Sequence, residues 1–297
     1  MGNENIQIYK QWYYKPDVKF EIIKFLFNRE FAVITPKYQT EQQYTVTRSM
    51  TAHNVKQLEY CLWNMLGGKN HDNIFCLYYT MAKYRNGLPR QTYKIRDRDK
   101  DLNEDWKNNC WKEIETYDLI IDIDCDTSEE VELYAYPSAK AIKKFLDSVP
   151  VPYEARFSGR GFHFIVSGDY FKELNLSYEP YQRVEPSYYT LYGNIQKALS
   201  DRFSELVDCK VHDSRQLCKI PYTISFYKDN NYVCLPFMNH NEFERFKLID
   251  YLVENNIKQT FRGRGTAVFN AGTSVSCTIL LKKLGVDKDG RHTTSRI

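Results

Sequence analysis

The spacing of apolar and polar residues changes period several times along the chain. Apolar residues recur at helical intervals over Phe20–Phe27 and again over His53–Leu66, where Val55, Leu58, Leu62 and Leu66 share a face before Gly67-Gly68 ends the run. Between these helices, Arg29–Ile34 and Gln42–Met50 alternate with a period of two and predict strands joined by a polar turn. Asn73–Met81 predicts another strand. Further on, Tyr117–Asp124 reads as a strand, and Tyr136–Ser148 as a helix with Ile142, Phe145 and Leu146 on its buried face and Pro137 in its first turn. Tyr153–Ser167 reads as strand, glycine-rich turn, strand. Tyr188–Phe203 predicts a helix, Leu206–Val211 a short strand, and Lys219–Phe237 extended chain turning at Asp229-Asn230-Asn231. Glu242–Asn255 predicts a helix, and the last thirty or so residues are weakly patterned. Strands and helices that mix without regular alternation imply an α+β fold, and the lack of repeats or low-complexity linkers implies one unit.

Composition narrows the setting. With 42% hydrophobic and 27% charged residues the chain reads as an ordinary soluble globular protein. No apolar run approaches the roughly 18 residues of a membrane span, and the N-terminal residues lack the basic start and apolar core of a signal peptide. An intracellular, cytoplasmic protein is expected. The net charge of +3 makes any basic surface local. Lys83–Asp101 is the richest basic stretch, partly offset by Asp97, Asp99 and Asp101, and suits either a solvated hairpin or contact with a nucleic-acid backbone. The eight cysteines contain no pair two to four residues apart, so reduced thiols are expected and zinc is not. Most of the 24 tyrosines and 17 phenylalanines are expected in the core or on half-exposed strands, with some available to stack on bases.

The chemistry concentrates in "DLIIDIDCDTSEE", Asp118–Glu130. A calcium loop starting at Asp122 would need Gly at 127 and Glu at 133, where the chain has Thr127 and Leu133. As a strand, the same residues put Asp122 and Asp124 on one face and Ile121 and Ile123 on the other. Two carboxylates about 4 Å apart repel by roughly 4 kcal/mol at an effective dielectric near 20, so the pair calls for a cation. Magnesium or manganese suits an oxygen-only site. An acidic strand end facing water would also produce this pattern, so its companions matter. In "SGRGFH", Ser158–His163, the glycines Gly159 and Gly161 free a turn whose backbone N–H groups can surround a phosphate together with the Ser158 hydroxyl and Arg160. His163, on the strand leaving the turn, adds a donor, although alone it would equally suit a satisfied core histidine. In "LVDCKVHDSRQLCKIPYT", Leu206–Thr223, Asp208 offers a third carboxylate, and Arg215 and Lys219 follow four apart as cations for a triphosphate. Taken singly, both would read as surface charges.

An acid pair on a strand, a Ser-x-Gly-x-His-like turn and a later hydrophobic-Asp resemble the three motifs of the archaeo-eukaryotic primase superfamily, here "DLIIDID", "SGRGFHFIV" and "LVD". The chain is most similar to the primase small, catalytic subunit: "NREFAVI" and "VTRSMTA" stand where that family has two N-terminal strands, and "RQLCKIPYTIS" and "YKDNNYVCLPF" resemble the segments after its third Asp. The likeness runs from about Tyr14 to Phe237. It implies a primase-type catalytic fold: an RRM-like, palm-like mixed sheet over residues 116–237, packed against an N-terminal α/β unit over 1–115, with a C-terminal helix and tail over 238–297. It implies metal binding by Asp122, Asp124 and Asp208, with two magnesium or manganese ions. It implies triphosphate contacts by Arg48, Ser158, Arg160, His163 and Lys219, and by Arg215. The partners implied are a single-stranded DNA template, nucleoside triphosphates, and a primase large subunit or replicative helicase. Between Asp124 and Ser158 the chain has only Cys125, so the Cys/His zinc knob of many cellular small subunits has no counterpart there. The implied reaction is primer synthesis by template-directed nucleotidyl transfer. The alternatives are a repair-type polymerase of the same superfamily, a non-catalytic nucleic-acid-binding module, and a metal phosphohydrolase.

Overall fold

The computed structural model describes residues 3–36, 44–66, 75–85, 110–179, 186–225, 232–255, 276–287 and 289. Most of the basic stretch over 83–101, the turn at 229–231 and the tail with Arg262 and Arg264 lie outside these residues.

Helices α1 (Asn3–Tyr13) and α2 (Pro16–Leu26) open the chain. Pro16 starts α2 because a proline at the first helical position gives up no needed hydrogen bond. The helix buries Val18, Ile22 and Leu26, while Phe20 and Phe27 remain exposed. Strands β1 (Phe31–Pro36) and β2 (Tyr44–Met50), helix α3 (Val55–Leu66), and strands β3 (Cys76–Thr80) and β4 (Ala82–Tyr84) follow. Next come β5 (Ile114–Tyr117), β6 (Leu119–Asp124), helix α4 (Tyr136–Asp147), β7 (Glu154–Phe157), β8 (Gly161–Val166) and helix α5 (Tyr188–Phe203). The chain closes through the short strands β9 (Leu217–Lys219), β10 (Ile224–Ser225), β11 (Tyr232–Val233) and β12 (Leu235–Pro236), and helices α6 (His240–Glu244), α7 (Leu248–Asn255) and α8 (Thr278–Leu284).

Among the described residues two four-stranded sheets dominate. The first has the order β2-β1-β3-β9 and the second β12-β7-β8-β6. Every pairing in both is antiparallel, which corrects the expected mixed sheet. In the second sheet β8 lies between β6 and β7, so the β6–α4–β7 connection is a split βαβ unit. Its two faces differ in chemistry. Ile121, Ile123, Phe162, Phe164 and Phe157 occupy one face by register, and α4 covers it with Ala139, Ile142 and Leu146. The other face carries the row Asp122–His163–Arg156 and lies against β3 and β9 of the first sheet. Covered on both sides, β8 is buried along its whole length.

Several predicted elements come out differently. Leu206–Val211 forms turns held by a single bridge, Val207 to Ile123, rather than a strand. Glu242–Asn255 breaks into α6 and α7, because Asn239 caps the first at Glu242 N (3.0 Å) and the buried Phe246 interrupts the two. Helices α1 and α8 were not predicted. All eight cysteines are free thiols.

Candidate functional site

The site is built where the two sheets meet. Asp122 and Asp124 lie at the end of β6, in register with His163 and Gly161 of β8. This pairing brings the acid pair and the glycine-rich turn together. Gly161 has no alternative here, since a Cβ would stand 1.7 Å from the Ile123 carbonyl oxygen. Gly159 sits at φ 113°, a backbone conformation that side chains rarely adopt. Ser158 N donates to Gly161 O at 2.9 Å and closes the turn. Its residue is almost fully buried, while the Arg160 side chain stays about one-third exposed (38%) at the rim.

Each acid has a cationic neighbour. Arg160 Nη2 pairs with Asp124 Oδ2. His163 Nε2 lies 3.3 Å from Asp122 Oδ1, and its Nδ1 lies 3.4 Å from the Cys218 sulfur. Both imidazole nitrogens are thus engaged within the protein, and the residue is buried. Burial opposes charge on His163, but the Asp122 carboxylate outweighs it and raises the imidazole to about 9. Burial alone would raise Asp122; His163, followed by Lys219 and Arg160, instead holds it below the ordinary carboxylate value. Asp124 is pushed up, first by burial and then by the Asp122 charge. Asp122 Oδ1 is buried and, with His163 Nε2 at 3.3 Å, receives no well-aligned hydrogen bond.

Asp208 joins through its backbone: its N–H donates to Asp122 O at 2.9 Å, next to the Ile123–Val207 bridge. Its carboxylate accepts from Lys210 N at 2.8 Å. Among the described residues no three carboxylate, imidazole or thiol groups converge as a ready metal cage. Lys219 reaches the site from the other sheet, on β9. Its Nζ donates to Ser158 O at 2.6 Å and to Ser225 Oγ at 3.2 Å, tying the glycine-rich turn to the first sheet.

One expected residue stands elsewhere. The Arg215 guanidinium lies 3.4 Å from the fully buried Glu30 carboxylate, so the structure does not bring it to the acid pair. Arg48 lies in β2 where the register slips between Met50↔Phe31 and Thr47↔Val33. The third acid of the motif, Asp126, is exposed in a capping box where Glu130 accepts from Asp126 N and Thr127 N, and Glu130 N donates to Thr127 Oγ1.

Sequence reasoning passed over the buried support. Arg156, 1% exposed, donates from Nη1 to Lys219 O (2.9 Å) and from Nη2 to Tyr79 OH (3.1 Å), and pairs with Glu154 at 2.8 Å. Cys218 backs His163. A signal was present: Glu154, Arg156 and Ser158 alternate up to the turn, as Asp122 and Asp124 do on β6.

No family model matches the sequence, and no curated protein matches it. Among solved structures, the chain is similar to the polymerase domain from Mycobacterium tuberculosis ligase D in complex with DNA, with a TM-score of 0.47 and 9% identity. That likeness covers 84% of this chain and 86% of the other.

Proposed function

We propose that this chain is a template-directed nucleotidyltransferase of the archaeo-eukaryotic primase type, which starts chains on single-stranded DNA from nucleoside triphosphates. The observation that carries the reading is the β6–β8 register, which sets Asp122 against His163 and Asp124 against the turn glycine Gly161. One arrangement thereby unites paired carboxylates with a backbone turn and two cations, Arg160 and Lys219.

The Asp122 and Asp124 carboxylates fit a hard divalent cation, magnesium or manganese, and Asp122 Oδ1, which receives no well-aligned hydrogen bond, is a natural ligand atom. Asp208, released from Lys210 N, would extend the set. When bound, such ions supply activation of a 3′-hydroxyl and neutralisation of a leaving pyrophosphate. The protein's own part is positioning. Arg160 at the rim and Lys219 beside the Ser158 carbonyl offer positive charge to a triphosphate seated on the turn. His163, held between Asp122 and Cys218, fixes the orientation of Asp122.

Calorimetric titration of a nucleoside triphosphate, with and without magnesium or manganese, tests the reading against a plain nucleic-acid-binding module. Binding is expected only with metal, and is expected to be lost when Asp122 and Asp124 are both replaced by Ala. Metal-independent binding that survives the double replacement would remove the acid pair from the account.

A further inference from the structure

Lys219 is held at two points, and only one of them is its own side chain. Among the described residues, β9 closes one edge of the first sheet, with Lys219 opposite Tyr78 of β3. Ile220 N donates to Leu77 O of β3 at 2.9 Å. In a trans peptide the carbonyl points opposite to the N–H, so Lys219 O faces away from β3. Among the described residues no strand of the first sheet lies on that side. Arg156 of the second sheet fills the gap and donates from Nη1 to Lys219 O at 2.9 Å. The second point lies two residues beyond Arg156, where Lys219 Nζ donates to Ser158 O at 2.6 Å. Two bonds therefore cross between the sheets in opposite senses, each from a side chain to the other's backbone. A slip of β9 by one residue, about 3.3 Å, would break both.

The guanidinium is itself immobilised. Its Nη2 donates to Tyr79 OH at 3.1 Å and pairs with Glu154 at 2.8 Å, and the Phe25 ring centre lies 5.6 Å away. At 1% exposure, Arg156 is out of reach of any ligand. A buried ion pair is weak support for stability, because well-packed apolar residues often serve as well. What an apolar residue could not supply is the donor to Lys219 O. Lys219 lies within electrostatic reach of both Asp122 and Asp124, so a displaced ammonium changes the charge offered beside the acid pair.

We propose that Arg156 is a positioning residue for nucleotide binding: it fixes Lys219 against the glycine-rich turn, and so sets the affinity for a triphosphate that it never touches. The proposal rests on the nucleotidyl-transfer reading, which seats the triphosphate on that turn.

Calorimetric titration of the full chain with ATP and with dATP, in magnesium and in manganese, tests it through a double-mutant cycle. Arg156→Lys keeps a charge beside Glu154 but loses the planar fork that reaches Lys219 O and Tyr79 OH together. It is expected to raise the dissociation constant about tenfold, as Lys219→Ala is, through loss of one charge-assisted contact. The chain with both substitutions is expected to bind no more weakly than Lys219→Ala alone, because Arg156 acts through Lys219. A residue that only supports the fold would add its loss in full. Should Arg156→Lys fail to unfold cooperatively in urea, Tyr79→Phe takes its place in the cycle, since it removes one acceptor of the guanidinium and keeps the ring. A loss of about two- to threefold is then expected, again absent in the Lys219→Ala background. With binding by the unaltered chain intact, an unchanged dissociation constant in the folded variant would overturn this proposal alone, as would a loss that adds to that of Lys219→Ala. Absence of metal-dependent binding by the unaltered chain would overturn the nucleotide reading and this proposal with it.

Discussion

Between the Asp122 carboxylate and the Cys218 sulfur, the His163 ring is kept charged in a place that excludes water. Its value of about 9 in the fold exceeds the 6.5 of a free imidazole. The stabilisation it brings is therefore complete below about pH 6.5 and is lost as pH rises through about 9. A shift of this size corresponds to about 3 kcal/mol at most. Urea unfolding in chelator should show stability falling across that window, and His163→Gln should flatten the fall. A variant with the same slope as the unaltered chain would refute the pairing. Gly161 is a second residue whose identity is forced. A methyl group there meets the Ile123 carbonyl, so Gly161→Ala should cost more than about 3 kcal/mol, or prevent folding, as measured by the unfolding midpoint. A well-folded Gly161→Ala chain would mean that β6 and β8 are not in this register.

At the scale of elements, the pattern served well wherever one face was buried. The helices α3, α4 and α5 and the pair β7 and β8 follow from apolar periodicity, and Ile142, Phe145 and Leu146 are buried as expected. The acid pair and the glycine-rich turn were legible because strand alternation and glycine chemistry are local. Arg156 and Cys218 were harder to see, because their meaning comes from a sheet formed by distant parts of the chain. Leu206–Val211 misled for a related reason: Val207 bridges Ile123 alone, with no ladder to extend it. Helix α1 escaped notice altogether, although it supports the segment that follows Lys219. Trp12 Nε1 donates to Tyr222 O at 2.8 Å, and Tyr222 sits at φ 68°, a strained position for an aromatic residue. Trp12→Phe removes that hydrogen bond and should cost about 0.5–1.5 kcal/mol in urea unfolding. An unchanged midpoint would show that α1 does not hold Tyr222.

Across the whole molecule, the two sheets share the site between them. The acids and the glycine-rich turn belong to the second sheet, and Lys219 arrives on β9, a strand of the first. One apolar cluster runs from Tyr9 to Val286 and joins both halves. This division of labour gives Lys219 a separable role. Lys219→Ala should chiefly raise KM for nucleotide, by about tenfold, as loss of one charge-assisted contact of about 1.5 kcal/mol implies. An unchanged KM would make Lys219 a structural tie between the sheets and nothing more.

In the proposed function, Asp122 and Asp124, set against the glycine-rich turn, start nucleic-acid chains. Its most direct test is synthesis from labelled nucleoside triphosphates on a single-stranded DNA template without a primer, in magnesium and in manganese. The unaltered chain should make dinucleotides and longer products, and the chain with Asp122→Ala and Asp124→Ala should make none while unfolding cooperatively. Products that form only when a primer is supplied would point to an end-extending polymerase, and full synthesis by the double variant would contradict the account.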